Sequence, residues 1–305
     1  MSVPYITEAS VGVLEWSAVA DAIAAGHRGP RAKLSDQLLS EGEDRILSRA
    51  AWIAGRGAAV KSVTVIPGNA ALGRPTIHGA MLLFDAAGAV AAVIDSALVT
   101  RLKTAGDSLL GARLLARPDA RRLVILGAGN VARSLTAAYR TQWPDLQIAI
   151  WNRNPARAEA LAAETAATAV TDLPAAVGAA DIVATATLSP TPILQGALLS
   201  PGTHVDLIGA FTPDMREADD AVLTRGRIFV DSRETTLDHI GEIRDPLTRG
   251  VIAPQDILGD FYDLCTGAPG RTAPEQITVF KNGGGAHMDL MTGRLIFEAW
   301  KKVQG

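Results

Sequence analysis

Apolar and polar positions follow two different patterns along the 305-residue chain. In the first third, short apolar runs rich in β-branched residues stand between turn residues. Residues 59–66 read as one strand. Residues 80–84 and 90–94 read as two more, and Asp85-Ala86-Ala87-Gly88 between them predicts a hairpin. Residues 97–116 then carry helical spacing, which Pro118 ends. From residue 117 onward, strands and helices alternate. Leu123-Val124-Ile125-Leu126 is a short apolar run, followed by a glycine turn, a helical stretch to Tyr139 and a second strand over 146–151. Helical spacing over 156–166 and strands over 182–187, 205–208 and 227–230 continue the alternation. Such a pattern predicts an α/β fold with a parallel sheet covered on both faces. Two domains follow. One is an α+β region over residues 1–116, which a final helix at 289–305 rejoins. The other is a doubly wound parallel-sheet domain over 117–288.

Composition narrows the function classes. Hydrophobic residues make up 48% of the chain, enough for a sizeable core, and the net charge is −3. With no dense basic run, nothing points to a nucleic-acid partner. The first residues lack a basic stretch followed by an apolar one, so no signal peptide is read. The uncharged stretch over 182–205 is long enough to cross a bilayer. Pro190, Pro192 and Pro201 interrupt it, so a strand and loops are expected and no membrane partner. Cys265 is the only cysteine, which removes any intramolecular disulfide and makes the cytoplasm the default location.

The glycine turn carries the first chemistry. Gly127-Ala128-Gly129-Asn130-Val131-Ala132 follows a strand and opens a helix. Gly127 permits a tight turn, Gly129 lets backbone approach a pyrophosphate, and Ala132 lets helix and strand pack closely. The helix N-terminus then offers N–H groups and positive dipole to the phosphates. The competing reading is a structural glycine turn, and the strand-turn-helix-strand context favours a Rossmann-type dinucleotide site. At the end of the second strand, an NAD enzyme usually carries an acid for the ribose 2′-hydroxyl. Here the residues are Trp151-Asn152-Arg153-Asn154. A guanidinium suits a 2′-phosphate, which favours NADPH, with NADH as the second choice. The plainer alternative is a solvated Arg153, with Asn152 meeting the ribose.

Other polar residues stand in unusual settings. Lys61 shares a strand face with Val63 and Val65. A lysine there needs an anionic partner or a route to water; a bound carboxylate would serve, and so would snorkelling to solvent. Lys103, with Asp107 four residues later, reads on spacing alone as a surface pair on a helix. Asp206, Asp214, Arg216, Glu217, Asp219 and Asp220 cluster at a strand end, either as a ligand loop or as a solvated turn before an acid-rich helix start. After the strand over 277–280 comes Lys281-Asn282-Gly283-Gly284-Gly285, a loop suited to close backbone approach. The five histidines show no metal-ligand spacing, and no Gly-x-Ser-x-Gly elbow is present, so no metal is expected.

Taken in order, Val60–Thr64, Lys103–Ala105, the Gly127–Ala132 turn, the Trp151–Arg153 strand end, Gly209–Glu217 and Phe280–Gly283 resemble the ornithine cyclodeaminase/mu-crystallin family, over residues 45 to 300. The likeness is strongest to its bacterial Δ1-pyrroline-2-carboxylate reductase, or ketimine reductase, branch. The resemblance implies that Lys61 holds a substrate carboxylate near the nicotinamide. Lys103 stands where the family usually has an arginine, and Arg31 is a further candidate for the substrate. Thr187 and Asn282 through Gly284 match segments on the nicotinamide side. Where cyclodeaminases carry an aspartate, this chain has Phe211, which handles no proton. The expectation is therefore NADPH-dependent reduction of a small cyclic imino acid, by a homodimer built from the N-terminal domain. Two alternatives stay open: ornithine cyclodeamination or amino-acid dehydrogenation on the same scaffold, and an NADPH-binding protein without turnover.

Overall fold

The computed structural model describes residues 3–304. The chain divides into two compact units, Met1–Lys103 with Gly285–Gly305, and Thr104–Gly284.

The first unit holds strands β1 (Tyr5–Ile6), β2 (Lys33–Glu41), β3 (Asp44–Ile53), β4 (Gly57–Val65), β5 (Ile77–Phe84) and β6 (Val90–Asp95), with helix α1 (Trp16–His27) between the first two. They form one sheet in the order β1-β6-β5-β4-β3-β2, antiparallel except for the parallel β1–β6 pair. The expected hairpin is the β5–β6 pair. The C-terminal helix, Ala286–Gln304, packs against α1 and against β3 and β4. Neither α1 nor the β2–β3 hairpin is among the expected elements, although Val19, Ala20, Ile23, Ala24 and His27 of α1 are buried at helical spacing. In β2 only Leu34 is even partly buried, so no apolar face alternates with a polar one.

Helix α2 (Ser96–Leu115) matches its expected span, but the division between units falls inside it, after Lys103, rather than at its end near residue 117. One continuous helix therefore supplies its first turns to one unit and the remainder to the other. The second boundary lies at Gly284, ahead of the C-terminal helix.

The second unit is the expected parallel sheet. Its strands are β7 (Arg122–Leu126), β8 (Gln147–Trp151), β9 (Thr168–Ala169), β10 (Ile182–Thr185), β11 (His204–Leu207), β12 (Arg227–Val230), β13 (Ile257–Gly259) and β14 (Thr278–Lys281). Their order is β13-β12-β14-β11-β10-β7-β8-β9, and every pair is parallel. Helices α3 (Asn130–Gln142), α4 (Pro155–Thr165), α5 (Leu173–Gly178) and α6 (Asp220–Arg225) punctuate the alternation. Val124, Val183, Val205, Leu207, Val230 and Val279 are buried in one core cluster, as strands covered on both faces require. The chain order reverses direction at β7, with β8 and β9 to one side and β10 and β11 to the other. That switch point, at the carboxyl ends of the strands, is where open α/β sheets bind ligands. The uncharged stretch over 182–205 folds as β10, loops and the start of β11. Among the described residues, no helix is long and apolar enough to cross a membrane.

Candidate active site

The glycine turn joins β7 to α3 at the switch point. Gly127 adopts φ +124°, and a Cβ there would collide with the Ala186 carbonyl, so the fold itself demands glycine. Gly129 is different. It caps α3 with an ordinary φ of −104°, and a Cβ there would meet nothing within 4 Å. The fold leaves open space at Gly129, and no side chain caps the first N–H groups of α3. Space plus unsatisfied donors fits a pyrophosphate. Ala132 is fully buried beneath the turn, as close helix–strand packing requires. Asn130, exposed, accepts from Arg133 at 2.7 Å, and Val131 is half-buried.

At the end of β8 the three polar residues separate in role. The Asn154 side chain caps α4, accepting from the Ala156 N–H at 3.1 Å. Asn152 donates to the Asn154 carbonyl at 3.0 Å. Arg153 is exposed and meets no carboxylate among the described residues. Of the three, Arg153 has the head group most available to a phosphate.

The loops after β10, β11 and β14 are held by buried carboxylates. Glu217, fully buried, accepts five hydrogen bonds: from Thr185 Oγ1 (2.7 Å), Thr187 N (2.7 Å), Thr187 Oγ1 (2.9 Å), Gly209 N (2.5 Å) and Ala210 N (3.3 Å). Asp231, also fully buried, accepts from Gly283 N at 2.8 Å and Gly284 N at 2.5 Å, and from Thr236 Oγ1 at 2.8 Å. Asn282 donates to the Thr104 carbonyl and to Ser108 Oγ, each at 3.0 Å. These contacts engage the side chain of Thr187, the Asn282 amide and the N–H groups of Gly283 and Gly284 within the protein, so the residues shape a surface rather than offer those donors to a ligand. The solvated-turn reading of the acidic cluster fails for Asp206 and Glu217, both fully buried. It holds for Asp219 and Asp220, which cap and open α6. The sequence flags Glu217 only as one acid among several and gives no signal for Asp231.

In the first unit, Arg49, Lys61, Met81 and Ile94 are successive register partners across β3, β4, β5 and β6, so they share one sheet face. Lys61 is buried there and does not snorkel. Its Nζ donates to Asp289 Oδ1 at 2.8 Å and lies 3.4 Å from Thr100 Oγ1. Burial pulls the Lys61 pKa below its ordinary value, and the Asp289 carboxylate opposes that fall. Burial acts to raise Asp289, but Lys61 and Lys103 outweigh it and hold the carboxyl below its ordinary value. Arg49 adds a third cation to this field while pairing with Asp36 at 2.7 Å. Lys103 and Asp107 are both buried, which overturns the surface-pair reading. The exposed residues of this helix, Ala97 and Thr100, lie in its first turns, and Lys103 and Asp107 come after them, where no residue of the helix is exposed. Arg31 is exposed in the segment between α1 and β2. Asp289 and Arg49 are absent from the sequence-based candidates; the signal for Asp289 was the need of a buried lysine for an anion. Among the described residues, no cluster of His, Cys, Asp or Glu is arranged to hold a metal ion.

Comparison with known proteins gives a consistent picture. The profile of the ornithine cyclodeaminase/mu-crystallin family matches residues 41–304. The Δ1-pyrroline-2-carboxylate reductase of Paracoccus denitrificans is 51% identical over 295 residues, which cover 94% of this chain and 93% of that protein. An archaeal alanine dehydrogenase dimer with bound NAD superposes with a TM-score of 0.91 at 25% identity, covering 100% of this chain and 98% of that one. The Thermococcus litoralis Δ1-pyrroline-2-carboxylate reductase, solved with NADH and L-proline, has a TM-score of 0.89 at 24% identity over 98% of both chains, a likeness of fold. With its two-unit architecture, its fingerprint turn and this matched span, the chain belongs to the ornithine cyclodeaminase/mu-crystallin family.

Proposed function

We propose that this protein reduces small cyclic ketimine carboxylates, taking Δ1-pyrroline-2-carboxylate to L-proline and accepting the six-membered Δ1-piperideine-2-carboxylate, with NADPH preferred over NADH. The observation that carries the reading is Lys61, a buried ammonium with Lys103 and Arg49 in its field and Asp289 as its hydrogen-bonded carboxylate. Such a surplus of positive charge suits a substrate carboxylate. The identity to the Paracoccus reductase supports the substrate class.

In the reaction, the C=N bond takes up a hydride at carbon and a proton at nitrogen. A bound reduced nicotinamide supplies the hydride. Gly127, Gly129 and the first N–H groups of α3 would hold the cofactor's pyrophosphate, and Arg153 would meet a 2′-phosphate. On the substrate side, Lys61 anchors the carboxylate, and Lys103 adds to the field. Orientation of the imine on that anchor is the main contribution of these residues to rate. Phe211, 62% exposed after β11, has no titratable group, which leaves imine reduction available and argues against cyclodeamination.

A second reading rests on the likeness to the alanine dehydrogenase, namely reductive amination of an open-chain oxo acid. The deciding assay follows loss of NADPH absorbance with Δ1-pyrroline-2-carboxylate, with NADH, and with pyruvate plus ammonia in parallel. Turnover of the cyclic imine with NADPH favoured is expected. Turnover only with pyruvate and ammonia would replace the reading.

The protein is further proposed to form a homodimer through the first unit. Leu39 and Trp52, both more than half exposed, share one face of the β2–β3 hairpin with the exposed Ile46 and favour an apolar partner surface. Light scattering should give twice the chain mass, and Trp52→Lys should shift it toward the monomer; a monomeric wild type removes the proposal.

A further inference from the structure

Glu217 joins two loops that leave neighbouring strands. Thr185 and Leu207 are register partners at the ends of β10 and β11. Just beyond them, one carboxylate accepts from Thr187 on one loop and from Gly209 and Ala210 on the other. The approach is so close that a Cβ on Gly209 would run into the Thr187 carbonyl and lie 2.5 Å from Glu217 Oε1. Glu217 is itself anchored from behind: its N–H donates to Glu242 at 2.7 Å, and the Ala218 N–H donates to the same carboxylate at 3.1 Å. Lys281, fully buried on β14, is the nearby cation, and its ammonium donates to the Leu207 carbonyl at 2.9 Å.

The position of this clamp matters. The fingerprint follows β7, and Arg153 ends β8, on one side of the switch point. The Glu217 loops follow β10 and β11, on the other side. A dinucleotide whose adenosine half lies toward β8 extends its second half toward β10 and β11. We infer that Glu217 is a positioning residue for the nicotinamide half of the cofactor, acting through the Thr187 and Gly209–Ala210 backbone. This rests on the dinucleotide reading above. Glutamine at this position has the same shape, but its amide nitrogen faces backbone N–H and hydroxyl donors where an acceptor is needed. The loops then separate, while the β7–β8 side is untouched.

The test compares binding of NADPH and of 2′,5′-ADP, which carries only the adenosine half, by calorimetry to wild type, Glu217→Gln and Thr187→Val. Thr187→Val removes one donor to the carboxylate and leaves Glu217 in place, so it reports even if Glu217→Gln folds poorly. Glu217→Gln is expected to weaken NADPH by about tenfold, the scale of one charge-assisted hydrogen bond, and Thr187→Val by less. Both should leave 2′,5′-ADP within about twofold of wild type. In imine turnover, kcat should fall while the KM for the imine holds. Equal loss of both ligands in each variant, or loss of neither, overturns the role of Glu217. A wild type that binds neither these ligands nor NADH overturns the dinucleotide reading, and this inference with it.

Discussion

Lys61 and Asp289 stand 228 residues apart in sequence, yet their side chains meet at 2.8 Å with both nearly excluded from water. A strand lysine and a helix carboxylate thereby satisfy each other in the first unit. Burial favours the neutral amine, and Asp289 is what opposes it. Asp289→Asn removes the opposing charge, so Lys61 should release its proton at lower pH. The basic limb of the kcat/KM profile should move to lower pH, and stability should fall by about 3 kcal/mol, the scale of a buried pair losing one partner. A pH–rate profile that superposes on wild type would show that Asp289 does not govern the charge of Lys61.

Lys61→Ala deletes the ammonium proposed to anchor the substrate carboxylate. The kcat/KM for the cyclic imine should drop by about two orders of magnitude, the scale of one or two charge-assisted hydrogen bonds. NADPH affinity, measured by direct titration, should hold, since the residues proposed to hold the cofactor belong to the other unit. Near-normal kcat/KM in this variant would move the substrate carboxylate elsewhere.

The proposed preference for NADPH rests on Arg153. Its exposed guanidinium stands where an acid would otherwise meet a ribose hydroxyl. Arg153→Ala should raise the KM for NADPH by about tenfold and leave that for NADH within about twofold. An equal effect on both cofactors would leave Arg153 as a solvated strand-end residue.

Asp206 offers a pH signature of stability. Burial pushes its pKa up to about 7, against the opposing hydrogen bonds from Ser108 and Tyr139, the latter at 2.9 Å. The folded protein therefore holds a proton that the unfolded chain has released between about pH 4 and pH 7. Stabilisation from this group is complete below its ordinary value of 3.8 and is lost as pH rises through about 7. Asp206→Asn, which titrates in neither state, should match wild type near pH 4 and melt higher than wild type at pH 8. A constant difference in melting temperature across that range would contradict the buried-proton assignment.

Local pattern alone determined much of this protein. The strand-turn-helix-strand run around Gly127, Gly129 and Ala132, the guanidinium at the end of β8 and the hairpin over β5–β6 are all legible because each is built from neighbours in sequence. Periodicity and turn chemistry act at that range. Lys61 was conspicuous for the same reason, as a charge on an apolar strand face. What met that charge was not legible. Asp289 comes from the far end of the chain, and only sheet register and helix packing bring it to Lys61. The same holds for Glu217 and Asp231, whose hydrogen bonds reach Gly209, Thr187, Gly283 and Gly284. Burial of Lys103 with Asp107 was likewise set by packing, which overrode the helix spacing that suggested a surface pair. A buried charge states its need for a partner in the sequence, but the partner is chosen by topology.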